Sequence, residues 1–121
     1  MSPSVRDWRL YADDIVESCA RVQRFVKGMR YEDFAADERT QDAVIRNIEI
    51  IGEAVKNLPD TVLAHAQQIP WRKVRGMRDV LAHGYFGISL KVVWDAATTQ
   101  MAELERAVRA LIDDESLPKE R

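Results

Sequence analysis

The side chains best suited to chemistry crowd into Arg72–Ser89, R-K-V-R-G-M-R-D-V-L-A-H-G-Y-F-G-I-S. Arg72, Lys73, Arg75 and Arg78 stand there against a single acid, Asp79, in a chain whose net charge is −2. Such a cluster can meet phosphate by charge and, through arginine, by forked hydrogen bonds. It can equally be a solvated helix face. His83 follows. Arg78 and His83 are five residues apart, about 140° around an ideal helix. Their convergence on one phosphate therefore predicts that the helix unwinds at Ala82–His83, ahead of Gly84. Asp79 lies one turn from His83, where a carboxylate can hold one ring nitrogen and leave the other for proton transfer. A helix C-terminus also favours imidazolium, the form that protonates a leaving oxygen.

These parts suit metal-free RNA cleavage. RNA brings its own nucleophile, the 2′-hydroxyl, so a protein need supply only a proton-transfer group and a cation for the developing phosphorane charge. The competing account is a histidine that caps exposed carbonyls beside a surface ion pair of about 0.3–0.5 kcal/mol. Tyr85 also has two readings. Its ring packs back onto the last turn after a Gly84 cap, or its hydroxyl sits beside the cations, open to substrate or modification.

Size and composition narrow the setting. A chain of 121 residues holds one domain with one core. With 46% hydrophobic and 31% charged residues it reads as globular, and a pI of about 5.7 is not that of a general nucleic-acid binder. Any RNA contact must come from a local patch. The single cysteine, Cys19, forms no internal disulfide and sits on an apolar stripe, and His65 and His83 lack ligand spacing, so no metal is expected. His65, among alanines and glutamines, reads as surface or partial core. No leader or membrane span is evident, and the expected location is cytoplasmic.

Helices must position the cluster. Trp8, Ala12, Ile15, Cys19, Val22, Val26 and Met29 recur at steps of four and three, predicting a helix over 5–29 that Gly28 stops. Residues 31–37 read as a loop or short turn. Thr40 is an acceptable N-cap for a second helix carrying Val44, Ile48, Ile51, Val55 and Leu58, ended by Pro59. A short helix over 60–68 lies between Pro59 and Pro70. A fourth starts near Trp71 and stops near Gly84. Ser89 then caps the longest helix, with Leu90, Trp94, Ala97, Met101, Leu104, Val108 and Leu111 on its stripe, and a charged tail from about 114 is expected to fray. No segment alternates as a strand does. The expectation is an all-α, antiparallel up-and-down bundle of four to five helices.

Arg78–Tyr85, R-D-V-L-A-H-G-Y, matches the R-x-x-x-x-H-x-Y signature of HepT-like toxins of the HEPN superfamily, and the flanking block resembles that family's most characteristic segment. I-P-W-R at 69–72 and D-A-V-I-R-N-I-E-I-I-G-E-A at 42–54 are similar to two further family blocks. The resemblance implies a homodimeric, metal-independent endoribonuclease toxin of a type VII toxin–antitoxin pair, acting on RNA and in particular tRNA. It implies Arg78 and His83 as the catalytic pair, with two motifs facing a shared cleft. It also implies a minimal nucleotidyltransferase antitoxin, MntA-like, that moves AMP from ATP onto Tyr85; no other cofactor is expected. Asp79 stands where relatives often carry asparagine. Arg72, Lys73 and Arg75 are the expected RNA contacts. Asn47 of the second helix is a candidate for orienting His83 or the phosphate, although an asparagine on a helix flank is ordinarily surface, and Glu53 could pair with the basic patch. The alternative is a non-catalytic helical module that serves as binding partner and substrate of the nucleotidyltransferase.

Overall fold

The structure is a computed structural model that describes residues 7–83 and 89–118, for 78–83 the backbone alone. Asp7 opens the first helix, its carboxylate accepting from the Arg9 N–H at 3.0 Å. That helix, α1, spans Trp8–Val26, shorter than the predicted 5–29 because Asp7 caps it and Gly28 turns the chain at φ +79°.

The stretch expected as a loop or short turn contains a single short helix, α2, Tyr31–Ala35. It is too short to show a period. Asp33 nevertheless accepts from the Arg30 N–H at 2.9 Å, and Phe34 is fully buried. α3 spans Glu38–Val55. Its N-cap is Asp37 rather than Thr40: the carboxylate accepts from the Thr40 N–H at 3.0 Å and from its hydroxyl at 2.7 Å. These bonds hold the Asp37 carboxyl below its ordinary 3.8.

α4, Asp60–Leu63, tightens into a 3₁₀ turn at Ala64–Ala66, so the short helix predicted over 60–68 is two shorter pieces. α5 runs Trp71–His83, and Trp71 anchors its start by donating Nε1–H to the Ala66 carbonyl at 3.0 Å. Ser89 caps α6, Leu90–Asp95, accepting from the Lys91 N–H at 3.1 Å. The predicted long helix continues as α7, Met101–Asp113, after a π turn at Ala96–Gln100. There the Thr98 and Thr99 hydroxyls donate to the carbonyls of Trp94 and Asp95, at 2.8 and 2.6 Å, which compete for the ordinary i→i−4 acceptors.

The described residues contain no strand, and the architecture is the expected all-helical bundle. α1 packs on α3 and α7, and α5 packs chiefly on α3. Contacts fix the directions. Tyr11 and Asp14 of α1 share a groove with Glu53 and Ala54 of α3, and Gln23 donates to Glu105 of α7 at 2.7 Å, so α1 is antiparallel to both. The end of the bundle that receives α1's C-terminus therefore also holds α2, the start of α3, the end of α5 and the start of α6.

Cys19 lies in the core with no exposure, and burial followed by the charge of Glu105 pushes its thiol up to about 12. It packs as a small apolar group. His65 is exposed. No helix among the described residues is long and apolar enough to cross a membrane.

The tail departs from expectation. Residues 114–118 fold back onto α1 instead of fraying. Trp8 Nε1–H donates to the Pro118 carbonyl at 2.6 Å, and the Arg9 guanidinium donates to the carbonyls of Ile112, Asp114 and Pro118 at 3.2, 3.0 and 2.7 Å. Leu117 is only 4% exposed. Composition marked this segment as charged, but one leucine and two accepting carbonyls, those of Asp114 and Pro118, suffice to pin it. Leu117→Ala is expected to cost about 2 kcal/mol in denaturant unfolding; an unchanged midpoint would return the tail to solvent.

The Asp37 cap predicts a pH signature. Its folded pKa lies below its unfolded one, so the stabilisation is complete above about pH 3.8 and fades as pH falls through the lower folded value. Asp37→Ala should melt at a lower temperature than the parent at neutral pH, with the gap closing in acid. Asp37→Asn, an equally good cap, should retain most of the stability. A gap independent of pH would remove the carboxylate from this account.

Candidate functional site

α5 is helical without a break to His83. The unwinding at Ala82–His83 that would have let Arg78 and His83 meet is therefore absent, and the register keeps the two positions about 140° apart. The physical reason is that thirteen residues from Trp71 continue one hydrogen-bonded ladder, and Gly84 lies beyond its last helical residue. On an ideal helix Arg72, Arg75, Asp79 and His83 fall within an arc of about 80°. Arg78 falls outside it, in nearly the same register as Trp71, seven residues earlier and 9% exposed. Asp79 and His83 keep the one-turn spacing that a shared face requires.

The cationic residues differ in setting. Arg72 and Lys73 are exposed. Arg75 is half-buried; its Nη2 lies 3.9 Å from an Asp60 carboxylate oxygen that is itself solvent-exposed, and its buried Nε has no hydrogen-bond partner among the described residues. An ion pair that long and that wet contributes little, and leaves Arg75 able to exchange Asp60 for another anion. Lys73 stands at the rim of an apolar groove of about 310 Å³ between α5, α3 and α7, floored by Ile48, Ile51 and Met101. Tyr85 lies outside the described residues, and the side chains of Arg78, Asp79 and His83 are not described.

Asn47 is not surface. It is 6% exposed; its Nδ2 donates to the Ala43 carbonyl at 2.8 Å, and its Oδ1 has no partner among the described residues. A buried amide oxygen without a donor is costly, on the order of 1–3 kcal/mol, and needs an explanation. The only signal in the chain was an asparagine among isoleucines; its burial follows from its place beside Ile48 and Ile51 on the packed side of α3. Glu53 lines a polar groove of about 360 Å³ between α1 and α3, with Asp14, Arg46 and Glu49. Among the described residues no group of three His, Cys, Asp or Glu side chains is placed to hold a metal.

The family model described as Ribonuclease HepT-like matches residues 15–111, which span α1 to α7 and enclose the whole motif. The chain belongs to that family. A candidate RNase of Caldanaerobacter subterraneus subsp. tengcongensis is 38% identical over 107 residues, covering 88% of this chain and 96% of its own. A candidate RNase of Methanocaldococcus jannaschii is 37% identical over 109 residues, covering 90% of each. A candidate ribonuclease HepT of Thermococcus cleftensis is 40% identical over 100 residues, covering 83% and 91%. No solved structure matches significantly. Coverage near nine-tenths of both chains means that the whole helical plan of this HepT-like domain is shared, rather than a motif alone.

Asn47 gives the site a test that separates packing from chemistry. Asn47→Leu removes the orphaned oxygen and fills the same volume, so stability should hold or rise. If the amide orients the reacting groups, RNA cleavage should fall at least tenfold in that stable variant. Retained cleavage would assign Asn47 to packing alone.

Proposed function

We propose that this HepT-like chain is a metal-independent endoribonuclease toxin, with Arg78 and His83 as its catalytic pair and tRNA among its targets. The observation that carries the reading is the R-x-x-x-x-H-x-Y motif at the C-terminal end of a helix whose exposed face is cationic, in a chain matched along nearly its full length by candidate ribonucleases. Arg72, Lys73 and Arg75 hold RNA phosphates. His83 protonates the leaving 5′-oxygen as the 2′-hydroxyl attacks, and Asp79, one turn away, orients the ring. Arg78 stabilises charge on the phosphorane.

The unbroken α5 favours a homodimer. With Arg78 and His83 separated around one helix, two motifs facing a common cleft place arginine and imidazole about one phosphate without bending either helix. The chain's net charge of −2 points the same way, because pairing two basic faces enlarges a footprint that one copy presents only locally.

Control falls to Tyr85, two residues from His83. A minimal nucleotidyltransferase antitoxin, MntA-like, transfers AMP from ATP to its hydroxyl. The added phosphodiester competes with RNA for the same cations and its bulk obstructs the cleft.

Expression without an antitoxin tests the reading. The wild-type chain should arrest growth and leave RNA fragments ending in 2′,3′-cyclic phosphate, in the presence of chelator as well as in its absence. His83→Ala should lower cleavage on the order of a hundredfold or more. Tyr85→Phe should remain toxic and become insensitive to the nucleotidyltransferase. A harmless, non-cleaving wild type would instead support a binding module that only receives the nucleotidyltransferase.

A further inference from the structure

The end of the bundle that holds the last turns of α5 carries a second set of groups that the motif does not include. From Arg21 to Arg30 the chain has four cations and no acid. Arg21 is held by Glu17 at 2.7 Å, and Arg30 lies near Glu32 and Asp33 at 3.9 and 3.7 Å. Arg24 and Lys27 are exposed and form no ion pair among the described residues. Immediately beyond them, Tyr31 opens α2 half-buried. Its ring meets Trp94 edge to face, with centroids 6.2 Å apart and planes at 68°. Trp94 in turn leans on Phe34 at 5.3 Å, and Phe34 is fully buried. The Lys91 ammonium lies 5.3 Å from the centre of the Tyr31 ring and 3.4 Å from an Asp95 carboxylate oxygen, an exposed i,i+4 pair that is weak enough to be shared with a phosphate.

This is a ring fixed through two others to the core, left partly open, with a lysine beside it and two uncommitted cations on the preceding helix. Packing alone accounts for Phe34. It does not account for a partly open Tyr31 flanked by cations. Single-stranded RNA is held by this pairing of aromatic platforms with phosphate contacts, because every base has a π-face and every linkage a charge. Phe25 and Val92 on the same segments are also exposed, but apolar side chains interleaved with Arg24, Lys27 and Lys91 suit a charged chain with stacking bases better than a protein face, whose core is depleted of charge.

We propose that Tyr31 stacks a nucleobase of single-stranded RNA beyond the scissile phosphate, while Arg24 and Lys27 contact phosphates on the same strand and Lys91 steadies the stacked base. The inference rests on the RNA-cleaving reading and extends it, giving the substrate class at this end as unpaired RNA. Tyr31 is a binding residue and takes no part in proton transfer.

The test uses the full chain carrying His83→Ala and a fluorescent single-stranded RNA oligonucleotide of mixed sequence, with circular dichroism melts as the folding control. Tyr31→Ala should weaken binding about tenfold, and Tyr31→Phe should stay within about twofold of the parent, because the phenyl ring still stacks. Replacing Arg24 and Lys27 together by alanine should flatten the slope of log affinity against log salt by about 1.4, ~0.7 for each phosphate no longer neutralised. In the cleaving chain, Tyr31→Ala should raise KM and leave kcat unchanged. A folded Tyr31→Ala that binds RNA as the parent does overturns the inference, as does a Phe variant as weak as the Ala variant. Tyr31-independent RNA binding with loss of nucleotidyltransferase binding would overturn it too, marking a protein-docking face. A wild type that binds RNA through Tyr31 but never cleaves it would remove the nuclease reading and leave this one standing.

Discussion

Helix α5 is a rod fixed along one side. It leans on α3, begins at the Trp71 anchor and continues unbroken to His83. Because the ladder does not open as far as His83, the positions of Arg78, Asp79 and His83 around the helix are set by register, with Arg72, Arg75, Asp79 and His83 on one arc and Arg78 outside it. An unbroken helix leaves the positions of Arg78 and His83 about 140° apart within one copy, and the proposed homodimer answers that separation.

The supporting structure is built to hold that rod by its far end. Ile48 and Ile51 of α3 form the floor beneath Val74 and Met77, and Asn47 is buried in the same row. One buried polar side chain on the face that meets α5 is an expensive choice for a core that isoleucine could fill. The opposite side of the molecule is secured differently, by Arg9 and Trp8 gathering the last carbonyls of α7 and the tail. Stability is thus concentrated on α1, α3 and α7. The end with α2 and the start of α6 carries the half-exposed rings of Tyr31 and Trp94 above the buried Phe34.

The polar groove between α1 and α3 and the apolar groove beside α5 are of similar size, about 360 and 310 Å³. Volume does not assign chemistry. The former carries three carboxylates, of Asp14, Glu49 and Glu53, against Arg46 alone, whereas in the latter Lys73 stands against Glu103. For a substrate carrying one negative charge per linkage, the sign of the lining decides.

Periodicity alone was enough for the long stripes: those of α1, α3 and the run from α6 through α7 repeat apolar residues often enough that no other element fits, with Gly28 ending the first and Ser89 starting the last, although the π turn between α6 and α7 left no mark on the stripe. The motif at 78–85 and its companion blocks were legible because residue identity at fixed spacing is a one-dimensional property. Three things were not. α2 has five residues, less than two turns, so its existence depends on Asp33 as a cap and Phe34 finding the core. The tail's return depends on carbonyls meeting Arg9 and Trp8 across more than a hundred residues, a separation no local pattern records. Burial of Asn47 and the grouping of Tyr31, Trp94 and Lys91 likewise arise only when separate helices are brought side by side. Sequence determines which faces are apolar and which residues can react; tertiary packing decides which face meets which, because that depends on contacts summed over the whole chain.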